Sequence, residues 1–182
     1  LAEFWAPALG YVNLGAAGYV DCSRGIPVIE IPAGPVTRAE GDVHPRGNPH
    51  YLTDPLNGKI VAETIADALK QAAPGRAAQI DERKKGFQRS IDEALFGKDL
   101  VDLVGGNKLD RLARSGELDA FLDRPSAGDA NLRAKLGGWL GNTRPLRGRK
   151  LVFYHRSYSY FAERFGLSVV DYVELRAGIQ PG

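Results

Sequence analysis

The sequence predicts an α/β fold, and three features favour it. Residues 150–173 read as a strand, a short helix and a second strand, a pattern typical of a parallel sheet with a right-handed crossover. Upstream, residues 55–73 and 76–95 each carry an apolar stripe at helical spacing. With 182 residues, 43% of them hydrophobic, the chain can bury a core as one domain or as two small lobes.

The N-terminal part of the chain is predicted to be mostly irregular. A short apolar helix is expected over residues 2–9, followed by a glycine-rich stretch. Residues 26–32 have the β-branched character of a strand, but two prolines restrict them to a sheet edge or to extended coil. Glycine and proline recur from 33 to 49 without a period, so we expect a long loop there, of the kind that is often functional.

Two long helices should follow this loop. Asp54 and Pro55 predict a helix start, with Thr53 or Asp54 as the N-cap and proline at the first helical position. Pro74 ends that helix, and the segment 76–95 predicts a second one with a charged outer face.

The middle of the chain predicts shorter helices. Residues 96–123 have apolar positions interrupted by glycines, which indicates two or three short helices. Another helix is expected over 132–140, weakened by Gly137 and Gly138.

The strand, helix and strand near the end place a histidine at a sheet edge. The continuous apolar run 151–154 fits a strand buried in a parallel sheet. Ser157 is expected to cap the next helix and Gly166 to end it, before a strand over 167–173. His155 then lies at the carboxyl end of the first strand, where open α/β sheets bind ligands.

The chain has three histidines, and all of them are candidates for a metal site. His44 and His50 lie at the end of the long loop, and His155 follows the strand. Neutral imidazole is a common ligand for zinc and other transition metals, but zinc sites normally use three or four protein ligands. Further ligands could come from acidic residues, although Asp54 is better explained as a helix cap; the acidic candidates are Glu30, Glu40, Asp42 and Asp54. Packed or capping histidines remain the alternative.

Composition and motifs exclude several other classes of function. The net charge is +2 and the basic clusters lack interleaved aromatics, so no nucleic-acid partner is expected. No zinc-protease, serine-hydrolase or phosphate-loop motif occurs, which favours a protein that is not an enzyme. A metal-dependent hydrolase using the same histidines remains one alternative, and a structural or adhesive surface protein another.

Residues 48–55 and 154–161 resemble the zinc and manganese substrate-binding proteins of bacterial ABC importers. The first segment is similar to that family's Asn-Pro-His-x-Trp-x-Asp-Pro loop, with Leu52 in place of the tryptophan. The second is similar to its Tyr-His-x-x-x-x-Tyr-Phe segment, and residues 174–179 also fit the family's run after the following strand.

The resemblance implies two parallel-sheet α/β lobes linked by a long rigid helix, the TroA-like arrangement, incomplete in this chain. Residues 1–75 would form part of the N-terminal metal-binding lobe, residues 76–148 the linking helix with a helical insertion, and residues 149–182 the start of the C-terminal lobe. The apparent insertion spans about residues 96–133.

The same resemblance implies a metal site between the lobes, with His50 from the first and His155 from the second. Whether His44 contributes stays open. The family's two other ligands, an early histidine and a late acidic residue, have no counterpart here, so we expect a chain truncated at both ends. The expected protein is monomeric and extracytoplasmic or periplasmic, with no signal peptide in this chain. It would bind a divalent metal, with zinc favoured and manganese as the alternative, and deliver it to the membrane permease of an ABC transporter.

Overall fold

A computed structural model describes residues 15–16, 18–35, 44–124 and 131–173. The helix predicted over residues 2–9, the acidic candidates Glu40 and Asp42, and the family-like run 174–179 lie outside the described residues.

Within the described ranges the chain forms eight α-helices and one parallel sheet of two strands. The helices are α1 (Pro55–Ala72), α2 (Ala77–Phe96), α3 (Lys98–Val104), α4 (Gly106–Arg114), α5 (Leu118–Leu122), α6 (Leu132–Lys135), α7 (Gly138–Thr143) and α8 (Ser159–Phe165). The strands are β1 (Lys150–Phe153) and β2 (Ser168–Tyr172), and short 3-10 turns occupy Tyr51–Thr53, Pro74–Arg76, Arg144–Leu146 and Arg156–Tyr158.

Helix α1 begins as the sequence predicts. The Asp54 side chain accepts a hydrogen bond from the Leu56 N–H at 3.0 Å, and Pro55 takes the first helical position. This cap satisfies one of the backbone donors that every helix start leaves without an intrahelical partner.

Helices α1 and α2 form an antiparallel pair joined by the Pro74–Arg76 turn. Near the start of α1, the Lys59 ammonium lies 2.7 Å from the Asp92 carboxylate near the end of α2, and both side chains are buried. One outer face of the pair is not covered by other parts of the described chain: Leu69 and Phe87 on it keep about half of their surface exposed (49% and 53%).

None of the described helices combines the length and the apolar character needed to cross a lipid bilayer.

The middle of the chain differs from expectation at one helix. Residues 96–122 form α3, α4 and α5 around the tail of α2, as predicted. The helix expected over 132–140 is broken into α6 and α7, because Leu136 is extended and the Gly137 N–H donates to the Phe96 carbonyl at 2.9 Å. This contact brings the two backbones so close that a Cβ on Gly97 would lie 2.8 Å from the Gly137 Cα.

The predicted strand, helix and strand unit is present, with two corrections. Strands β1 and β2 are parallel, with an irregularity in register between Leu151 and Val152. The strand expected to be buried is partly open, and Val152 is 56% exposed, because the sheet has only two strands in the described ranges. Ser157 does not cap the helix: a 3-10 turn intervenes, and α8 begins at Ser159.

One hydrophobic cluster unites the described elements. Its buried members come from α1, α2, α3, α4, α5 and α8; they are Leu56, Leu95, Phe96, Leu100, Val101, Leu109, Leu122 and Phe165. The segment 26–32 forms neither a helix nor a strand, so the predicted edge strand is absent there, and Glu30 within it has a positive φ of 54°. The division of the chain at residues 75 and 148 stays a prediction.

Candidate metal centre

His50 lies between a tight turn and the helix pair. Its backbone N–H donates to the Asn48 side-chain oxygen at 2.9 Å. Its carbonyl accepts from the Thr53 N–H at 3.1 Å and from the Thr53 hydroxyl at 2.8 Å. The backbone of His50 is therefore held from both sides, while its ring remains partly exposed.

His44 lies next to His50. The two ring centroids are 5.9 Å apart, with the planes inclined at 72°. A turn closed by the Gly47 N–H on the His44 carbonyl (2.9 Å) produces this approach. Gly47 has φ +88°, and a Cβ there would lie 2.4 Å from a Val28 methyl carbon, so the turn requires glycine.

His155 follows β1 at the carboxyl end of the sheet, as predicted. Its ring meets the ring of Tyr154 edge-on, with 4.6 Å between centroids, and is partly buried. The backbone is extended at His155 and then turns into the Arg156–Tyr158 segment.

Asn48 connects the two histidine-bearing segments. Its side-chain oxygen accepts from the N–H of His50, and its side-chain nitrogen donates to the carbonyl of Arg156 at 2.9 Å. Asn48 is only 4% exposed, so the Asn48 end of both hydrogen bonds is shielded from water. One buried amide thus ties the backbone of His50 to the residue directly after His155, although 108 positions separate the bonded pair.

Tyr160 supports this connection from α8. Its hydroxyl donates to the Asn48 carbonyl at 3.0 Å and accepts from the Ile29 N–H at 3.2 Å. Burial raises the pKa of the Tyr160 phenol, which keeps the hydroxyl protonated for the bond that it donates.

Glu30 completes the connection. One carboxylate oxygen accepts from the Asn48 side-chain nitrogen at 2.8 Å, and the other accepts from the Ser159 hydroxyl at 2.7 Å. Among the described residues Glu30 is the one non-glycine residue with a positive φ, at 54°.

The acidic candidates predicted as ligands have other partners where they are described. Asp54 accepts two hydrogen bonds from the Arg164 guanidinium, at 2.9 and 2.8 Å, and is committed to that pair. In the part of the chain that the structure describes, no three side chains of histidine, cysteine, aspartate or glutamate form a group that could hold a metal ion. The assignment of His50 and His155 as ligands stays a prediction.

Sequence reasoning did not identify the supporting residues. Asn48 lies in the first family-like segment and Ser159 and Tyr160 in the second, so those segments were the available signal. Their roles depend on contacts across more than 100 positions, which neither segment reveals alone.

The comparisons with known proteins agree with the resemblance. Residues 11–95 match the family model described as "ZnuA: Zinc-uptake complex component A periplasmic". The chain is also similar to the high-affinity zinc uptake system proteins ZnuA of Brucella abortus and Brucella suis. Each is 26% identical over 133 residues, which cover 73% of this chain and 28% of the relative. The match thus spans less than a third of the length of these relatives.

Two solved structures share the fold. A crystal structure of ZnuA superimposes with a TM-score of 0.52 at 20% identity, over 100% of this chain and 53% of that one. A zinc-bound ZnuA with residues 138–173 deleted, in its own numbering, gives 0.50 at 21% identity, over 93% and 45%. The predicted incomplete α/β fold is therefore confirmed.

The matched family and relatives are named for zinc uptake, which agrees with the prediction of a protein that is not an enzyme. The hydrolase alternative gains no support from them. The expected resemblance is confirmed: residues 11–95 are similar to the family of periplasmic zinc-uptake component A, and the fold is that of solved ZnuA structures.

Proposed function

We propose that this protein binds zinc outside the cytoplasm through His50 and His155, and that it serves an ABC importer. The observation that carries the proposal is the Asn48 bridge, which joins the backbones next to both histidines within a chain whose matched family is named for zinc uptake. The zinc-bound relative of the same fold supports the choice of cargo.

Zinc is favoured over manganese by the donor atoms. Imidazole nitrogen suits zinc, whereas carboxylate and carbonyl oxygens suit manganese. In the described ranges the acidic side chain nearest this bridge, Glu30, is already occupied by Asn48 and Ser159. His44, 5.9 Å from His50 between centroids, is the best-placed described residue for a third nitrogen ligand.

Zinc affinity should be measured by competition with a chromophoric chelator. His50→Ala and His155→Ala should each abolish tight binding, and His44→Ala should weaken it if the third imidazole takes part. Glu82→Ala, at an exposed position on α2, is the matched control and should bind as the parent does. Parent-like affinity in both the His50 and His155 variants would overturn the proposal.

Delivery to a membrane permease is the second half of the proposal, and the family description of a zinc-uptake complex supports it. We expect a monomer in solution that associates with the permease in its zinc-loaded form. Light scattering tests the monomer, and binding to the permease in detergent, with and without zinc, tests the association. Equal binding of the zinc-loaded protein and its His50→Ala variant would contradict zinc-dependent delivery.

A further inference from the structure

Glu30 has a backbone conformation that side-chain-bearing residues usually avoid. At φ 54° its Cβ is crowded against the backbone, and such left-handed residues persist only where surrounding contacts fix them. Strained positions of this kind concentrate at functional sites. In this chain the Glu30 carboxylate makes two hydrogen bonds, and the backbone of Ile29 directly before it is held by the Asn48 N–H and the Tyr160 hydroxyl.

The partners of the carboxylate belong to the two segments that carry the proposed ligands. Asn48 stands two residues before His50, and Ser159 stands four residues after His155. The carboxylate oxygens lie 2.8 Å from the Asn48 nitrogen and 2.7 Å from the Ser159 hydroxyl. A single side chain from the coil at 26–32 therefore reaches both segments.

Glu30 helps to fix the direction of the Asn48 amide, together with the Arg156 carbonyl and the His50 N–H. A carboxylate accepts hydrogen bonds only, so it holds the nitrogen side of the amide towards itself and leaves the oxygen side for the His50 N–H. The same nitrogen donates to the Arg156 carbonyl, which fixes the segment after His155.

We infer that Glu30 is a positioning residue for the metal centre: its strained backbone directs a carboxylate that orients Asn48 and anchors Ser159, and so sets the separation of His50 and His155. This inference rests on the proposed function. Glu30 itself binds no metal in this role, because both of its oxygens serve the bridge.

Two substitutions separate the carboxylate from the strain. Glu30→Ala and Glu30→Gly both remove the carboxylate, but glycine adopts φ 54° without strain. Both variants should bind zinc about tenfold more weakly than the parent, in the range seen when partners behind a metal ligand are removed. The glycine variant should nevertheless unfold at the higher temperature of the two. Glu82→Ala, an exposed glutamate without this role, should match the parent in both measurements.

The outcomes distinguish this inference from the proposed function. If the parent binds zinc tightly and the glycine variant binds equally well, the positioning role is wrong and the zinc site stands. The same holds if zinc affinity simply follows the unfolding temperature across the variants. If the parent fails to bind zinc, the proposed function falls.

Hydrogen exchange of the zinc-free protein then tests whether Glu30 positions the two segments. The amides of residues 48–54 and 156–160 should exchange faster in both Glu30 variants than in Glu82→Ala. Equal exchange rates would overturn the positioning role of Glu30.

Discussion

The side-chain nitrogen of Asn48 donates to the backbone carbonyl of Arg156 at 2.9 Å, and this bond spans 108 positions of the chain. It is the direct connection between the loop of His50 and the turn that follows His155. Asn48 itself is buried, whereas the His50 and Arg156 groups that it joins are only partly buried, so their replacement by water is restricted.

Replacing Asn48 with alanine should therefore destabilise the protein. The change leaves the Arg156 carbonyl and the His50 N–H without this partner; a fully buried group left unsatisfied costs about 1–3 kcal/mol, and these partly buried groups should each lie at or below the lower end of that range. Asn48→Asp should be worse than alanine, because a second carboxylate would face Glu30. Urea denaturation measures the free energy of unfolding; an aspartate variant as stable as the parent would contradict the geometry.

The pair between Asp54 and Arg164 should contribute strongly to stability. The guanidinium lies against both carboxylate oxygens, at 2.9 and 2.8 Å, and the two side chains are only 8% and 13% exposed. Removing one partner of such a buried pair typically costs about 3–5 kcal/mol. We expect Arg164→Ala to fall in this range in urea denaturation.

Arg164→Lys is the informative companion. It keeps the charge but cannot make two parallel hydrogen bonds, so it should recover only part of the loss. Full recovery would show that charge alone, and not the planar geometry, stabilises the start of α1.

Two glycines with the same backbone conformation should respond differently to alanine. Gly97 and Gly105 both have φ +87° with an extended ψ, so alanine is strained at either position by about 1–3 kcal/mol. A Cβ at Gly97 would also lie 2.8 Å from the Gly137 Cα, whereas at Gly105 it meets nothing within 4 Å. Gly97→Ala should therefore lower the unfolding temperature clearly more than Gly105→Ala, and equal shifts would mean that the close approach of the backbones is not rigid.

Asp119 should make stability depend on pH. Burial raises its pKa, but hydrogen bonds from Arg133 and Arg147 outweigh that effect and hold the pKa below its ordinary value. The folded state then binds the proton less tightly than the unfolded state. The resulting stabilisation is fully present above the unfolded pKa and is lost as the pH falls through the folded one. The stability difference between the parent and Asp119→Asn should shrink as the pH is lowered from about 6 to about 3.

Asp92 provides a comparison of opposite sign. Burial raises its pKa, and the hydrogen bond from Lys59 offsets this only in part. Its contribution to stability is present below the ordinary, unfolded pKa and is lost as the pH rises through the raised folded pKa. The difference between the parent and Asp92→Asn should therefore grow in the parent's favour on acidification, in contrast to Asp119→Asn.

The sequence correctly predicted those helices and strands whose formation depends on residues close together in the chain. The Asp54 cap, the short helices after Phe96 and the parallel strands around α8 follow from residue types and spacings close in sequence. The break between α6 and α7 could not be predicted in this way, because it depends on the Phe96 carbonyl about 40 positions away. Ser157 failed as a cap for a similar reason: a turn precedes α8, and the hydroxyl that matters, on Ser159, bonds to Glu30.

In the candidate site, too, the sequence revealed individual residues but not the contacts between distant segments. Its histidines were found from the residue type and from the two family-like segments. Glu30 was considered only as a possible ligand, because its positive φ and its contacts with Asn48 and Ser159 are invisible in the sequence.

The shared hydrophobic cluster has a consequence for how a metal could be captured. Leu56, six residues after His50, and Phe165, ten residues after His155, are buried in the same cluster. Moving one histidine-bearing segment away from the other would expose part of this cluster, at about 25 cal/mol for each Å² of apolar surface. An arriving ion would thus find the two segments already held together, and little ordering entropy would be lost on binding. Releasing the ion by a wide separation of the two segments would carry the additional cost of exposing this cluster.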